Sequence, residues 1–314
     1  MFQHILVPLD GSFRAEQALP VAARIACATG GSPLLVQVVS PPVDYSGGLA
    51  PVPLMNDQVI ESDIAAATDS LTVVAASRVL AGIPTGTEVQ FGFPAQRLIA
   101  EASAHGIDLV VLCSHGRTGF IRWALGNVAH TLVHQSTVPV LVLRTSEAAS
   151  LLPRSDEPLT LRVLVPLDGS PLAEAALAPA AALAAALAAP DRGALHLVQV
   201  VKAFQSTAEE GFVSELNEEA RQMAHSYLAT VAERVESKVT GSTLAVTSSV
   251  ELASDVASAL LGVAEQEGPG GCALIAISTH GRGGLERWVM GSVTERLLDT
   301  ARPPMLIVLP QRKG

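Results

Sequence analysis

The chain has 314 residues, 49% hydrophobic and 16% charged, which is long enough for two domains with their own cores and too apolar for a disordered or fibrous protein. Its formal charge of −10 leaves no excess of Lys and Arg to displace counterions, so nucleic acid is excluded as an expected partner. The three cysteines, Cys27, Cys113 and Cys272, form no CxxC pair and no even framework, which excludes a disulfide scaffold and a zinc site and points to the cytoplasm.

Taken in chain order, Met1 to Asp10 passes directly into a strand-like run without a basic leader, so no secretory signal is expected. Runs rich in Val, Ile and Leu at His4 to Pro8, Leu34 to Val39, Thr87 to Phe91, Leu109 to Cys113 and Val140 to Leu143 predict strands. They alternate with stretches of helical period, the pattern of βαβ units and a parallel sheet. Residues 41–56 are rich in Pro and Gly and read as a surface loop, a variable connection in preference to a partner-binding lid. Ser146 to Thr160 lacks apolar periodicity and marks the join, giving domains 1–147 and 161–314 with a linker at 148–160. Beyond it, strands are predicted near Arg162 to Pro166, Leu195 to Val201, Leu244 to Val250, Ala273 to Ser278 and Met305 to Leu309. Ala173 to Ala189 is Ala-rich but interrupted by Pro179 and adjoins Glu174, so it reads as a helix of a globular domain and no membrane is expected.

The second series of elements repeats the first. HILVPLDGSFRAEQAL, His4 to Leu19, recurs as RVLVPLDGSPLAEAAL, Arg162 to Leu177. LLVQVV, Leu34 to Val39, recurs as HLVQVV, His196 to Val201, and SHGRTGFIRWALGNV, Ser114 to Val128, recurs as THGRGGLERWVMGSV, Thr279 to Val293. One α/β unit is therefore written twice, with the copies differing by short insertions that belong in loops.

Two constellations in each copy bear on chemistry. The first is VPLDGS, from Pro8 and Pro166, at the carboxyl end of the opening strand, where open α/β sheets bind ligands. Asp10 and Asp168 could accept from a ribose or an adenine edge there or help hold a cation, but taken alone the motif favours helix capping or turn formation. The second is His115-Gly116, nine residues, then Gly126-Asn127, repeated as His280-Gly281, nine residues, then Gly291-Ser292. Gly116 and Gly281 permit a tight turn close to a phosphate, and Gly126 and Gly291 open helices whose free N–H groups attract anions. Asn127 and Ser292 are expected to cap those helices. Arg117 and Arg282, with Arg122 and Arg287 further on, offer positive charge to phosphate oxygens or serve as surface ion-pair partners. A histidine general base would need a partnered group, and no such spacing accompanies His115 or His280, whose expected role is loop packing; no catalytic residue is assigned. Trp123 and Trp288 read as core or interface residues, and Cys113 as an inert thiol at a strand end.

These residues resemble the universal stress protein family over nearly all of both halves: ILVPLDGS and VLVPLDGS, the QVV strand, the SHGRTG and THGRGG loops, the GNV and GSVTERL helix starts, and the terminal VPVLVLR and PPMLIVLP strands. The resemblance implies two tandem Rossmann-like, doubly wound domains, each a five-stranded, mostly parallel sheet with order 3-2-1-4 and the last strand at or beyond an edge. Its switch point would set the VPLDGS turn against the HG loop across one crevice. In ATP-binding members the motif is G-x-x-G, nine residues, then G followed by Ser, Thr or Asn; Cys113 and Ser278 stand at the first glycine here. Position by position, the resemblance implies nucleoside contacts from Asp10 and Val38 and from Asp168 and Val200. It implies phosphate contacts from Gly116, Gly126, Asn127, Val128 and Ala129, and from Gly281, Gly291, Ser292, Val293 and Thr294. The second copy is expected to be the better site, because Ser292 and Thr294 bear hydroxyls. The implied ligand is ATP, or ADP or AMP, with Mg²⁺, in a stress-response regulator; a slow ATPase and a nucleotide-free scaffold are the alternatives. The terminal strands are expected to pair the two halves, and two chains to form a homodimer.

Overall fold

The computed structural model describes residues 1–41, 43–44, 52–53, 57–114, 125–144, 151–152, 161–203, 210–238, 244–266, 271–279 and 290–310. The chain divides into two units, Met1–Thr145 and Ser146–Gly314.

The first unit runs β1 (His4–Leu9), α1 (Phe13–Glu16), α2 (Leu19–Thr29), β2 (Ser32–Val39), β3 (Val43–Asp44), β4 (Val52–Pro53) and α3 (Asp57–Ala75). It continues through a 3₁₀ turn (Arg78–Leu80) to β5 (Gly86–Phe91), α4 (Pro94–Ala104), β6 (Leu109–Cys113), α5 (Asn127–Gln135) and β7 (Val140–Leu143). The main strands are parallel in the order β5-β2-β1-β6-β7, which reverses direction at β1. The insertion read as a loop holds the short antiparallel pair β3 and β4.

The second unit repeats this with β8 (Arg162–Pro166), α6 (Pro171–Glu174), α7 (Leu177–Ala188), β9 (Gly193–Lys202), α8 (Glu210–Lys238), β10 (Leu244–Ala253), α9 (Val256–Ala264), β11 (Leu274–Ser278), α10 (Ser292–Thr300) and β12 (Met305–Val308). The order is β10-β9-β8-β11-β12, again parallel and again reversing at the opening strand. Here β9 and β10 have 10 residues each and α8 has 29, against 19 in α3.

Composition explains the layers. The central strands are continuous apolar runs, and Ile5, Leu6, Val7, Leu109, Val110 and Val111 are inaccessible to solvent, as are Val163, Leu164, Val165, Leu274 and Ile275; both faces must be covered by helices. Small side chains make that cover close. A Cβ on Gly193 would lie 2.7 Å from the Ala184 carbonyl oxygen, and one on Gly31 would lie 2.7 Å from that of Phe2. Pro171–Ala188 is long and apolar enough to cross a membrane by length and composition, yet it forms two helices and is 56% buried within the unit.

Candidate functional site

In a parallel strand successive residues present their backbone groups to opposite neighbours. The Gln3 carbonyl accepts from Ser32 at the start of β2 (2.8 Å), and the His4 carbonyl accepts from Asp108 beside β6 (2.9 Å). Even-numbered positions of β1 therefore face β6, and Pro8, which has no N–H, is one of them. The β1–β6 register covers Ile5↔Leu109 and Leu6↔Val110, whereas β1 and β2 stay paired through Leu9↔Gln37. The second unit does the same: Leu161 faces β9, Arg162 faces β11, the β8–β11 register covers Val163↔Leu274 and Leu164↔Ile275, and Pro166 follows. In each unit the proline falls where the two central strands part, at the switch point where such sheets bind ligands.

The turn beyond each proline is built locally. The Asp10 carboxylate accepts from the Ser12 backbone N–H (3.0 Å), Gly11 takes φ +75°, and Ser12 caps α1 by accepting from Ala15 N–H (3.2 Å). Asp168, Gly169 and Ser170 repeat this with 2.9 Å, φ +81° and 3.1 Å. The serines are thus the caps, and the aspartates hold the turn. A residue with a Cβ would be strained at either glycine, so DGS is the sequence this geometry requires.

Across the crevice, the residue before each of α5 and α10 is bonded to the residue that follows β6 or β11. The Ser114 carbonyl accepts from Gly126 N–H at 2.8 Å, and the Thr279 carbonyl from Gly291 N–H at 2.9 Å. A Cβ on Gly126 would come within 3.1 Å of that Ser114 oxygen. These bonds seat the starts of α5 and α10 at the carboxyl ends of their strands. The expectation that Asn127 and Ser292 cap these helices is corrected: the caps are Gly126 and Gly291, in extended conformation and without a side-chain cap bond, and Asn127 and Ser292 are the first helical residues. A glycine at the cap lets the helix start close to the strand end. The N–H groups of Asn127, Val128 and Ala129, and of Ser292, Val293 and Thr294, belong to the first turn, which has no intrahelical acceptor for them.

The hydroxyl expected to favour the second copy has another partner. Thr294 is buried, and its Oγ1 donates to the Ser278 carbonyl at 3.2 Å, tying α10 to the end of β11. Ala129, its counterpart, is buried without a hydroxyl. The hydroxyl advantage of copy two therefore narrows to the exposed Ser292. Cys113 is half-buried; burial, with a smaller contribution from the Asp10 charge, pushes its thiol up to about 12. That coupling sets Asp10 near the end of β6. Ser278 is buried at the matching place. Val38 and Val200 lie partly exposed near the carboxyl ends of β2 and β9. His115, Gly116, Arg117, Arg122 and Trp123, with His280, Gly281, Arg282, Arg287 and Trp288, lie outside the described residues, and so does the expected facing of Asp10 to Gly116 and of Asp168 to Gly281.

Three groupings were missed in the sequence. Gln37 and Gln199, the polar residue of each VQVV run, have side-chain Oε1 atoms that are sealed from solvent and have no hydrogen-bond partner among the described residues. A polar residue repeated inside an apolar strand was the available signal. Beside Asp168, Glu174 of α6 accepts from Tyr227 (3.0 Å) and from Arg234, both on α8; burial first, then Glu174 and Asp168, raise the Tyr227 phenol. Within the second sheet, buried His196 bonds Arg162 (2.7 Å), Thr247 (2.9 Å) and Ser249 (3.2 Å), and burial followed by the Arg162 charge lowers its pKa to about 4. Far from the crevice, His105 Nε2 lies 2.9 Å from Glu88 and 3.3 Å from Glu101, an arrangement that an ion pair explains.

A parallel sheet reversing at its opening strand, with an Asp-Gly-Ser turn on one side of the reversal and a glycine-led helix on the other, defines a Rossmann-like α/β domain, here present twice. The sequence pattern described as the Universal stress protein family matches residues 1–144 and 160–308. The chain belongs to that family, a stress-response group. It is 29% identical over 313 residues to a universal stress protein of Mycolicibacterium smegmatis, covering 98% of this chain and 97% of that one. It is 28% identical over 229 residues to Universal stress protein Rv2005c of Mycobacterium tuberculosis, covering 70% of this chain and 68% of the relative. In fold it is similar to the crystal structure of a universal stress protein from Archaeoglobus fulgidus, with a TM-score of 0.68 and 20% identity over 98% of this chain and 99% of that one.

Proposed function

We propose that the protein binds ATP, or ADP or AMP, in both crevices and acts as a nucleotide-responsive regulator in the stress response. The observation that carries this reading is the pairing, in each unit, of a proline-parted strand end with a glycine-capped helix start, an arrangement that offers backbone N–H groups and a positive dipole to an anion. The phosphates would lie against the first turns of α5 and α10, held by Gly126, Asn127, Val128 and Ala129 and by Gly291, Ser292, Val293 and Thr294. The backbone of Thr294, with its hydroxyl engaged elsewhere, would serve there. Asp10 with Val38, and Asp168 with Val200, would take the nucleoside end. Gly116 and Gly281, with Arg117 and Arg282, would complete the phosphate side, and Mg²⁺ would screen the phosphate charge. In the cytoplasm such a protein would respond to nucleotide through a change in stability and in association as a homodimer, since a ligand that binds only the folded state stabilises it.

The test is to denature the purified protein, analyse the released small molecules for adenine nucleotide, and measure thermal unfolding with and without ATP and Mg²⁺. Co-purified nucleotide, or a rise in unfolding temperature that saturates with ATP, supports the reading. The absence of both refutes it. Steady ADP formation abolished by Asp168→Ala would replace the sensor with the ATPase.

A further inference from the structure

Two polar atoms at matching places in the two units stand out because folded proteins rarely leave them unpaired. Gln37 Oε1 and Gln199 Oε1 are inaccessible to solvent and have no hydrogen-bond partner among the described residues, although buried acceptors are normally satisfied. Their surroundings correspond: Gln37 pairs with Leu9 of β1 and with Val89 of β5, while Gln199 pairs with Val250 of β10 and follows Val198, which pairs with Pro166. The Gln37 amide reaches the crevice turn, because its Nε2 lies 3.7 Å from where a Cβ on Gly11 would sit. Each glutamine is thus at the carboxyl end of the strand next to the opening one, one residue before Val38 or Val200. A third such orphan among the described residues, Ser77 Oγ, follows α3 at the opposite end of the first sheet, where the chain enters β5.

We propose that Gln37 and Gln199 are specificity-determining residues for the nucleoside, each using its side-chain carbonyl to accept a hydrogen bond from an N–H or O–H donor of the ligand. This rests on the nucleotide reading above and deepens it: the ligand must carry a donor at that end, either the exocyclic amino group of adenine or a ribose hydroxyl. A ligand with the donor gives this acceptor the partner that the free protein lacks, and a ligand without it does not, so the hydrogen bond gained separates the two. The copies differ at the phosphate side, where Asn127 and Ala129 stand opposite Ser292 and Thr294. They share the glutamine, so both crevices would select the same nucleoside.

The experiment uses the full chain and measures dissociation constants for ATP, for ITP, which presents a carbonyl in place of the amino group, and for 2′-deoxy-ATP and 3′-deoxy-ATP. The proteins compared are the wild type, the double variant Gln37→Leu/Gln199→Leu, the near-isosteric Gln37→Met/Gln199→Met, and Ser77→Ala as a control outside the crevice. In the wild type, one of the three analogues binds at least about tenfold more weakly than ATP, and that analogue identifies the donor. Both double variants lose at least about tenfold for ATP while holding that analogue as the wild type does, so the preference collapses toward one; Ser77→Ala keeps it. Unfolding temperatures no lower than wild type without ligand show that the variants fold. Wild-type affinity for ATP in the folded double variants overturns the proposal and leaves the nucleotide reading standing. An equal loss for ATP and every analogue overturns it in favour of a packing role, and wild type that binds no nucleotide overturns both.

Discussion

Thr294 separates two roles that its position in the motif cannot. The hydroxyl donates to the Ser278 carbonyl at 3.2 Å inside a buried contact between α10 and β11. Thr294→Val replaces the hydroxyl with a methyl of similar size and removes only the donor. A neutral hydrogen bond contributes about 0.5–1.5 kcal/mol net, and 3.2 Å is long for an O–H donor, so the loss belongs in the lower half, about 0.5–1 kcal/mol. For a unit of this size that lowers the unfolding temperature by roughly 1–4 °C. The assay is calorimetric or fluorescence-detected unfolding of the nucleotide-free full chain, with Thr294→Ser as the control that keeps the hydroxyl, followed by ATP titration of both variants. Thr294→Val should unfold earlier, Thr294→Ser should retain the bond, and ATP affinity in the two should agree within about threefold. An unchanged unfolding temperature together with a tenfold or greater loss of ATP affinity, about 1.4 kcal/mol, would show that the hydroxyl serves the phosphate and that its bond to Ser278 is incidental.

Thiol labelling of the native protein at pH 8 should be fast at one cysteine, the exposed Cys27, because burial pushes Cys113 up to about 12 and Cys272 up to about 11 and leaves little thiolate at either; rapid labelling of Cys113 would contradict its placement. Gly193→Ala and Gly31→Ala should each lower stability by about 1–3 kcal/mol in urea unfolding, since their new Cβ atoms would meet backbone oxygens at 2.7 Å, and a neutral result would mean the helix layer yields. His196 is held neutral in the fold with its pKa at about 4, below the value near 6.5 of an unfolded chain. The unfolded state therefore binds the extra proton, and the contribution of His196 is complete above about pH 6.5 and is lost as pH falls toward 4, by at most about 1.4 kcal/mol per pH unit. Urea midpoints at pH 7.5, 6 and 5 should fall less steeply for His196→Leu, which installs the residue of the first copy, Leu34; equal slopes would refute the assignment.

The chain by itself determined whatever depends on neighbours in sequence. Runs rich in Val, Ile and Leu located the ten main strands, and the repeated motifs showed duplication. The Asp-Gly-Ser turn was legible because a positive φ at Gly11 and Gly169 and a serine cap two residues past each aspartate are local requirements. What the tertiary structure decided depends on residues brought together from distant elements. The orientation of Pro8 and Pro166 toward β6 and β11, and hence the opening of the crevices, follows from which strand lies on which side. The cap of α5 fell to Gly126 and that of α10 to Gly291 because each must approach a strand carbonyl within hydrogen-bond distance. Thr294 spends its hydroxyl on β11, and Gln37 and Gln199 are left with sealed, unpaired oxygens, because hydrogen-bond partners and solvent exclusion are set by packing across the sheet, and a linear pattern names the polar group without naming what it faces.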